Sequence, residues 1–254
     1  MLRFPTLLIL LLLLSDARAQ QEIRLAYSDT ESYPYQLGNG SKVASPPGIA
    51  VDIIKTAAEN IGIRVIFERY PNNLILSHLH HGVIDGIFIF SYLKEREVFG
   101  VYPTKAGLPD IDKRIAQISY FLYRNKGSKA DWDGKHFTPK DVSVATQSAF
   151  SIVAMLRAHR LAVAEVDEVH QLYRLLKSGR VDAVATQDIL LDPYIREQQI
   201  TDIERDWPPL ETRDYYLMLS HQFYGKYPKL AQSLWQEIAK VRKGLFPDLR
   251  KISK

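Results

Sequence analysis

The chain has 254 residues with a formal charge of +4, 46% hydrophobic and 24% charged residues, and no cysteine. That balance describes a folded chain with a sizeable core, and the missing thiols exclude disulfides, thiolate catalysis and Cys-based zinc sites. Lys and Arg are interleaved with Asp and Glu along the whole sequence rather than clustered, which argues against nucleic acid as a partner.

Met1-Leu2-Arg3, the apolar run Leu7 to Leu14 and Ala17-Arg18-Ala19 before Gln20 form the charged, apolar and small-residue regions of a secretory signal peptide over residues 1–19. The run is shorter than the roughly 20 residues a bilayer span needs. The mature chain is therefore expected to be periplasmic and, with no Cys at the cleavage point, to be free rather than lipid-anchored. About 235 residues remain, which suits two lobes better than one domain.

Glu22 to Tyr27 alternates as a strand does, and the Ser-, Asp-, Pro- and Gly-rich stretch Ser28 to Gly48 reads as loop. Ala50 to Ile61 carries apolar residues at helical spacing and is stopped by Gly62. Ile63 to Phe67 reads as strand, Leu74 to His81 as helix, and Ile84 to Phe90 as a buried parallel strand. The second half repeats this order, with strand Val142 to Ala145, helices Ser148 to Arg160 and Val169 to Lys177, and strand Val181 to Thr186. Leu79 to Ile87 and Leu176 to Val184 share a helix end, a glycine, an Asp and a strand start. Two strand-like stretches, Ile115 to Tyr123 and Arg213 to Ser220, bracket the second half as two crossings, and Tyr227 to Lys243 is an amphipathic helix.

In this order and spacing the chain resembles the bacterial extracellular solute-binding proteins of family 3, the periplasmic binding proteins of amino-acid ABC transporters. The residues that carry the resemblance are Pro47 to Asp52, Leu79 to Gly86, Ser91 to Glu97, Tyr102-Pro103 and Ser178 to Ala183. It implies an α/β, two-lobed type II periplasmic binding protein fold, each lobe a mostly parallel sheet flanked by helices, with two hinge crossings. Lobe 1 is expected over residues 20–118 and 213–254, the latter with the C-terminal helix, and lobe 2 over residues 119–212. It also implies a non-enzymatic protein that closes on a small polar ligand, an amino acid or related carboxylate, for uptake or sensing. The partner would be an ABC permease or a sensor receptor in the inner membrane, and a monomer is expected.

By the resemblance, Arg96 pairs with the ligand carboxylate and Ser91 joins it; a planar guanidinium suits that task, although Arg96 also reads as one charge of the solvated run Lys94 to Glu97. The family often has a second hydroxyl two positions before Ser91, where this chain has Ile89. Tyr33 matches an aromatic lid, or packs its own loop. Ser148 stands where the family has a helix-start carboxylate site, or is an ordinary N-cap. The acid that receives a ligand ammonium matches Gln187 by spacing and Asp188 by chemistry, and a neutral Gln would suit a ligand without that charge. Asn72 and Asn73 are ligand candidates or helix caps. The His78, His80, His81 group lacks a neighbouring carboxylate, so no metal is expected, nor any cofactor. No hydrolase, nucleotide or zinc-protease motif occurs in the sequence. The alternative reading is a periplasmic lyase resembling cyclohexadienyl dehydratases, with Asp188 or Glu31 as its pocket acid.

Overall fold

The computed structural model describes residues 20–245, so the expected signal peptide lies outside the described residues. In chain order the elements are β1 (Glu22–Ser28), α1 (Ile49–Asn60), β2 (Arg64–Tyr70), α2 (Asn72–His80) and β3 (Gly86–Ser91). A small hairpin, β4 (Thr104–Lys105) with β5 (Leu108–Pro109), precedes β6 (Ala116–Asn125), and another, β7 (Asp131–Trp132) with β8 (Phe137–Thr138), follows it. Then come β9 (Ser143–Gln147), α3 (Ile152–Ala158), β10 (Ala162–Val166), α4 (Val169–Lys177), β11 (Ala183–Gln187), α5 (Asp188–Glu197), β12 (Ile203–Arg205) and β13 (Glu211–Leu219). The short α6 (His221–Lys226) and the long α7 (Pro228–Leu245) complete the described chain. None of the helices among the described residues is long and apolar enough to cross a membrane.

A single nine-stranded sheet runs β10-β9-β11-β6-β13-β3-β1-β2, with β12 beside β6. Each end of it is parallel, as strands joined through helices must be. The two long strands between them are antiparallel to each other over Ala116–Tyr120 and Glu211–Tyr215. Beyond that shared segment they part: β6 pairs with β11 and β12, and β13 with β3. These strands are the two expected crossings, and the expected lobe boundaries fall inside them.

Burial explains the elements. Helix α1 places Ala50, Val51, Ile53, Ile54, Ala57 and Ala58 inward, in one cluster with Leu234, Trp235 and Ile238 of α7. Each large side chain so buried stabilises the fold by about 1.5–3 kcal/mol. The α1 entry requires glycine: Gly48 has φ +108°, and a Cβ there would lie 2.7 Å from the Tyr35 carbonyl oxygen.

The expected helix Ser148 to Arg160 is shorter in the structure, starting at Ile152. Ala149 adopts φ 61°, a left-handed conformation that a helix cannot include. Ser148 is therefore not an N-cap; it precedes an irregular turn. Nor do Asn72 and Asn73 cap α2, because Pro71 occupies the cap position and Asn72 begins the helix. The sequence reading contained neither β10 nor α5, whose internal Pro193 is an atypical helix residue.

Candidate functional site

Four parallel strands deliver their last residues to one place. Ser28 ends β1, Ser91 ends β3, Gln147 ends β9 and Gln187 ends β11, and all four line a small chamber of about 70 Å³ between the lobes. The carboxyl ends of strands at a change of direction are where α/β sheets bind ligands. Cross-strand register completes the floor, since Tyr120 lies opposite Gln187 and Tyr215 opposite Ser91.

The floor is a neutral hydrogen-bond network. The Gln187 side-chain amide donates to the Tyr215 hydroxyl at 2.7 Å and to the Tyr120 hydroxyl at 3.1 Å. The Tyr215 hydroxyl donates to that of Tyr120 at 3.2 Å, which lies 3.3 Å from Ser151 Oγ. Thr186 donates to the Gln147 side-chain oxygen at 2.7 Å. Burial first, and then the neighbouring Tyr120, push the Tyr215 hydroxyl well above its ordinary pKa, so it stays protonated.

Arg96 is the exception to this neutrality. It lies on the short 3-10 turn Lys94–Val98 and is only 8% exposed. Its Nη1 donates to the Ser91 carbonyl at 2.9 Å and to Ser91 Oγ at 3.1 Å, and its Nη2 crosses to the other lobe to the Ala149 carbonyl at 3.0 Å. The guanidinium sits 5.4 Å from the Phe90 ring. No ion pair joins Arg96 to a carboxylate among the described residues.

Ile89 lines the same chamber, at a bulge where β3 loses register with β13 between Tyr216 and Leu217. Its φ of 58° is a strained conformation for a β-branched residue, costing on the order of 1–3 kcal/mol. The bulge shifts the strand's alternation, so Ile87 and Phe90 join one apolar cluster and Ser91 falls opposite Tyr215.

The structure separates the expected site residues. Arg96, Ser91, Gln187 and Asn72 line the inner chamber. Tyr33 and Ser148 line a larger outer chamber of about 580 Å³, which shares Thr30, Glu31, Asn72, Asp167 and Leu190 with the inner one. Tyr33 is 47% exposed there, and it is Tyr35 that packs into the core. Asp188 lines neither chamber. It turns to the start of α5, where its carboxylate accepts from the Ile189 amide at 2.9 Å, and burial, with Asp192 nearby, pushes its pKa up to about 6. Of the two alternatives, Gln187 is the one that faces the chamber.

Sequence reasoning missed Ser28, Gln36, Tyr120, Gln147, Ser151, Asp167 and Tyr215, all in the inner lining. A signal for two of them was present, because Ser28 and Gln147, like Ser91, are polar residues that end apolar strands.

No protein-family model matches the chain, and no curated protein matches it in sequence. Solved structures do share its fold. An ancestral arginine-binding protein bound to glutamine is 17% identical, over 89% of this chain and 97% of that one, with a TM-score of 0.65. The GluR0 ligand-binding core from Nostoc punctiforme, in complex with L-glutamate, is 19% identical over 88% and 99%, with a TM-score of 0.64. The substrate binding protein of an amino acid ABC transporter is 14% identical over 91% and 94%, with a TM-score of 0.62. The chain thus has the two-lobed α/β fold of the periplasmic binding proteins. Its structural neighbours include amino-acid-binding proteins of the type its sequence resembles.

Proposed function

We propose that the protein binds a small carboxylate between its lobes by closing on it, for uptake through an ABC-type permease or for sensing through a membrane receptor, without chemistry on the ligand. One observation carries this reading: a buried guanidinium in an interlobe chamber that makes no ion pair with a carboxylate among the described residues. An unbalanced buried charge is costly. A ligand carboxylate would supply the balance through charge-assisted hydrogen bonds.

Arg69 is the useful contrast. It is also buried, but its N–H groups go to the carbonyls of Ser28, Leu37, Gly38 and Lys42, so its role is to hold a loop. Arg96 has no such saturation: its Nε makes no hydrogen bond among the described residues.

In this reading the ligand docks on Arg96 and Ser91 of the first lobe, and the second lobe brings Gln187, Ser151 and the 148–151 turn over it. Ile189 and Leu190 of α5 already pack in one buried cluster with Tyr35 and α1 of the first lobe, which supports closure as the working motion. The named ligands of the neighbouring folds, glutamine and L-glutamate, carry the carboxylate that Arg96 would take. For the lyase alternative, of its two candidate acids Asp188 lies outside both chambers and Glu31 lines them, accepting from the Gly38 amide at 2.5 Å.

The test is a thermal-shift screen of protein stripped of co-purified ligand by unfolding and refolding, against carboxylates, amino acids, amines and a prephenate-like acid. Stabilisation by carboxylates and none by amines is the expected result. Stabilisation by simple amines alone would overturn the reading, and turnover of the prephenate-like acid would replace it with the lyase.

A further inference from the structure

We infer that the ligand is an elongated dipole, with its carboxylate at Arg96 and its positive charge, an amine or guanidine, several atoms away rather than on the adjacent carbon. The inference rests on the carboxylate site proposed above and names the class of ligand that enters it.

The side chains of the chamber floor beside Arg96 offer no anion to an adjacent ammonium, and the two acids of the inner lining, Glu31 and Asp167, are ones that the outer chamber shares. Gln187, Tyr120, Tyr215 and Ser151 are neutral and bonded to one another. An α-ammonium there would face a guanidinium and only neutral acceptors, at the cost of its hydration. The inner chamber's 70 Å³ is also small: at roughly 10–15 Å³ per water-sized group, it takes a carboxylate and two or three carbons. The rest of a longer ligand must continue into the outer chamber of about 580 Å³.

That outer space has the opposite polarity. Its lining contains Asp29, Glu31, Asp167, Glu168 and Glu197, with no Lys or Arg, and its one histidine, His170, is paired with Glu168 at 2.8 Å. In a chain of net charge +4 this segregation is local. Glu31 from one lobe and Asp167 from the other line both chambers, so the field reverses along the cleft from Arg96 outward.

An independent group points the same way. Gln36 is 3% exposed and lines the inner chamber, and its side-chain oxygen is buried with no hydrogen-bond partner. One N–H of its amide nitrogen donates to the Thr30 carbonyl at 2.7 Å, which fixes the amide. The unpartnered oxygen is an acceptor, and it calls for an N–H or O–H of the ligand. Thr30 lines both chambers, which places Gln36 near their junction.

The experiment is titration calorimetry of the stripped protein with 5-aminopentanoate, 4-guanidinobutanoate, pentanoate, glutarate, L-lysine and L-glutamine. One or both of the ω-cationic carboxylates should bind at least about tenfold more tightly than each of the other four. The double variant Glu31→Gln, Asp167→Asn should weaken 5-aminopentanoate by about tenfold or more while leaving pentanoate within about twofold. Tighter binding of L-lysine or L-glutamine, of glutarate, or of plain pentanoate would overturn the inference and leave the carboxylate site standing. Equal losses for 5-aminopentanoate and pentanoate in the double variant would also overturn it. Failure of every compound to bind would remove the Arg96 site itself, and this inference with it.

Discussion

Arg96, which is buried, and Asp188, which is partly buried, are two ionisable groups with opposite consequences. Arg96 makes no ion pair among the described residues; if a ligand carboxylate pairs with it as proposed, Arg96→Ala should cost on the order of 3–5 kcal/mol of ligand affinity, and calorimetry on the folded variant reads that loss. Arg96→Lys keeps the charge but loses the fork that reaches Ser91 and Ala149, so it should recover only part of the affinity. Asp188 is instead a carboxyl with its folded-state pKa raised to about 6 from 3.8. Between those values the folded state holds the proton more tightly than the unfolded one, so stability falls as pH rises from about 4 to 6 and is flat above. Asp188→Asn should therefore raise stability by about 1–3 kcal/mol at pH 7.5 and by almost nothing at pH 4, as denaturant melts at the two pH values would show. At this scale the sequence singled out Arg96 and Ser91, which the structure places in one chamber. It was silent where burial decides: whether Gln187 or Asp188 faces the chamber depends on the strand ending at Gln187 and α5 beginning at Asp188.

The elements divide in the same way. α1, α4, α7 and the strands β3, β6 and β13 were legible because apolar periodicity is set by burial, and each of those segments buries apolar residues. The 148–151 turn was not, since a left-handed Ala149 answers to the tertiary contact of its carbonyl with Arg96 and not to local propensity. The bulge at Ile89 hid in the same manner, behind an unbroken apolar run. The loop after β1 also answers to one long-range partner, because Arg69 ties carbonyls from Ser28 to Lys42 and stacks 5.1 Å from the Tyr27 ring. That loop carries Thr30, Glu31 and Tyr33 to the cleft. Arg69→Ala leaves several carbonyls without donors, and should destabilise the fold by about 2–4 kcal/mol, with the first loss of amide protection in residues 29–42 on hydrogen exchange.

At the scale of the whole molecule, the two lobes share one sheet through β6 and β13, so they can bend about two strands while their separate parallel ends stay intact. In the proposed closed form, the Arg96 to Ala149 hydrogen bond goes with the packing of Ile189 and Leu190; a ligand that contacts both lobes should shift the population to that form. Small-angle scattering should then show a smaller radius of gyration with ligand than without. Ligand at a hundredfold excess over its dissociation constant should stabilise the fold by about 2.7 kcal/mol. The most direct measurement is calorimetric titration of the best carboxylate into the wild-type protein and into Arg96→Ala, both shown to be folded. A dissociation constant raised at least about a hundredfold in the variant is the predicted result, and binding retained within about threefold would contradict the assignment of the carboxylate to Arg96.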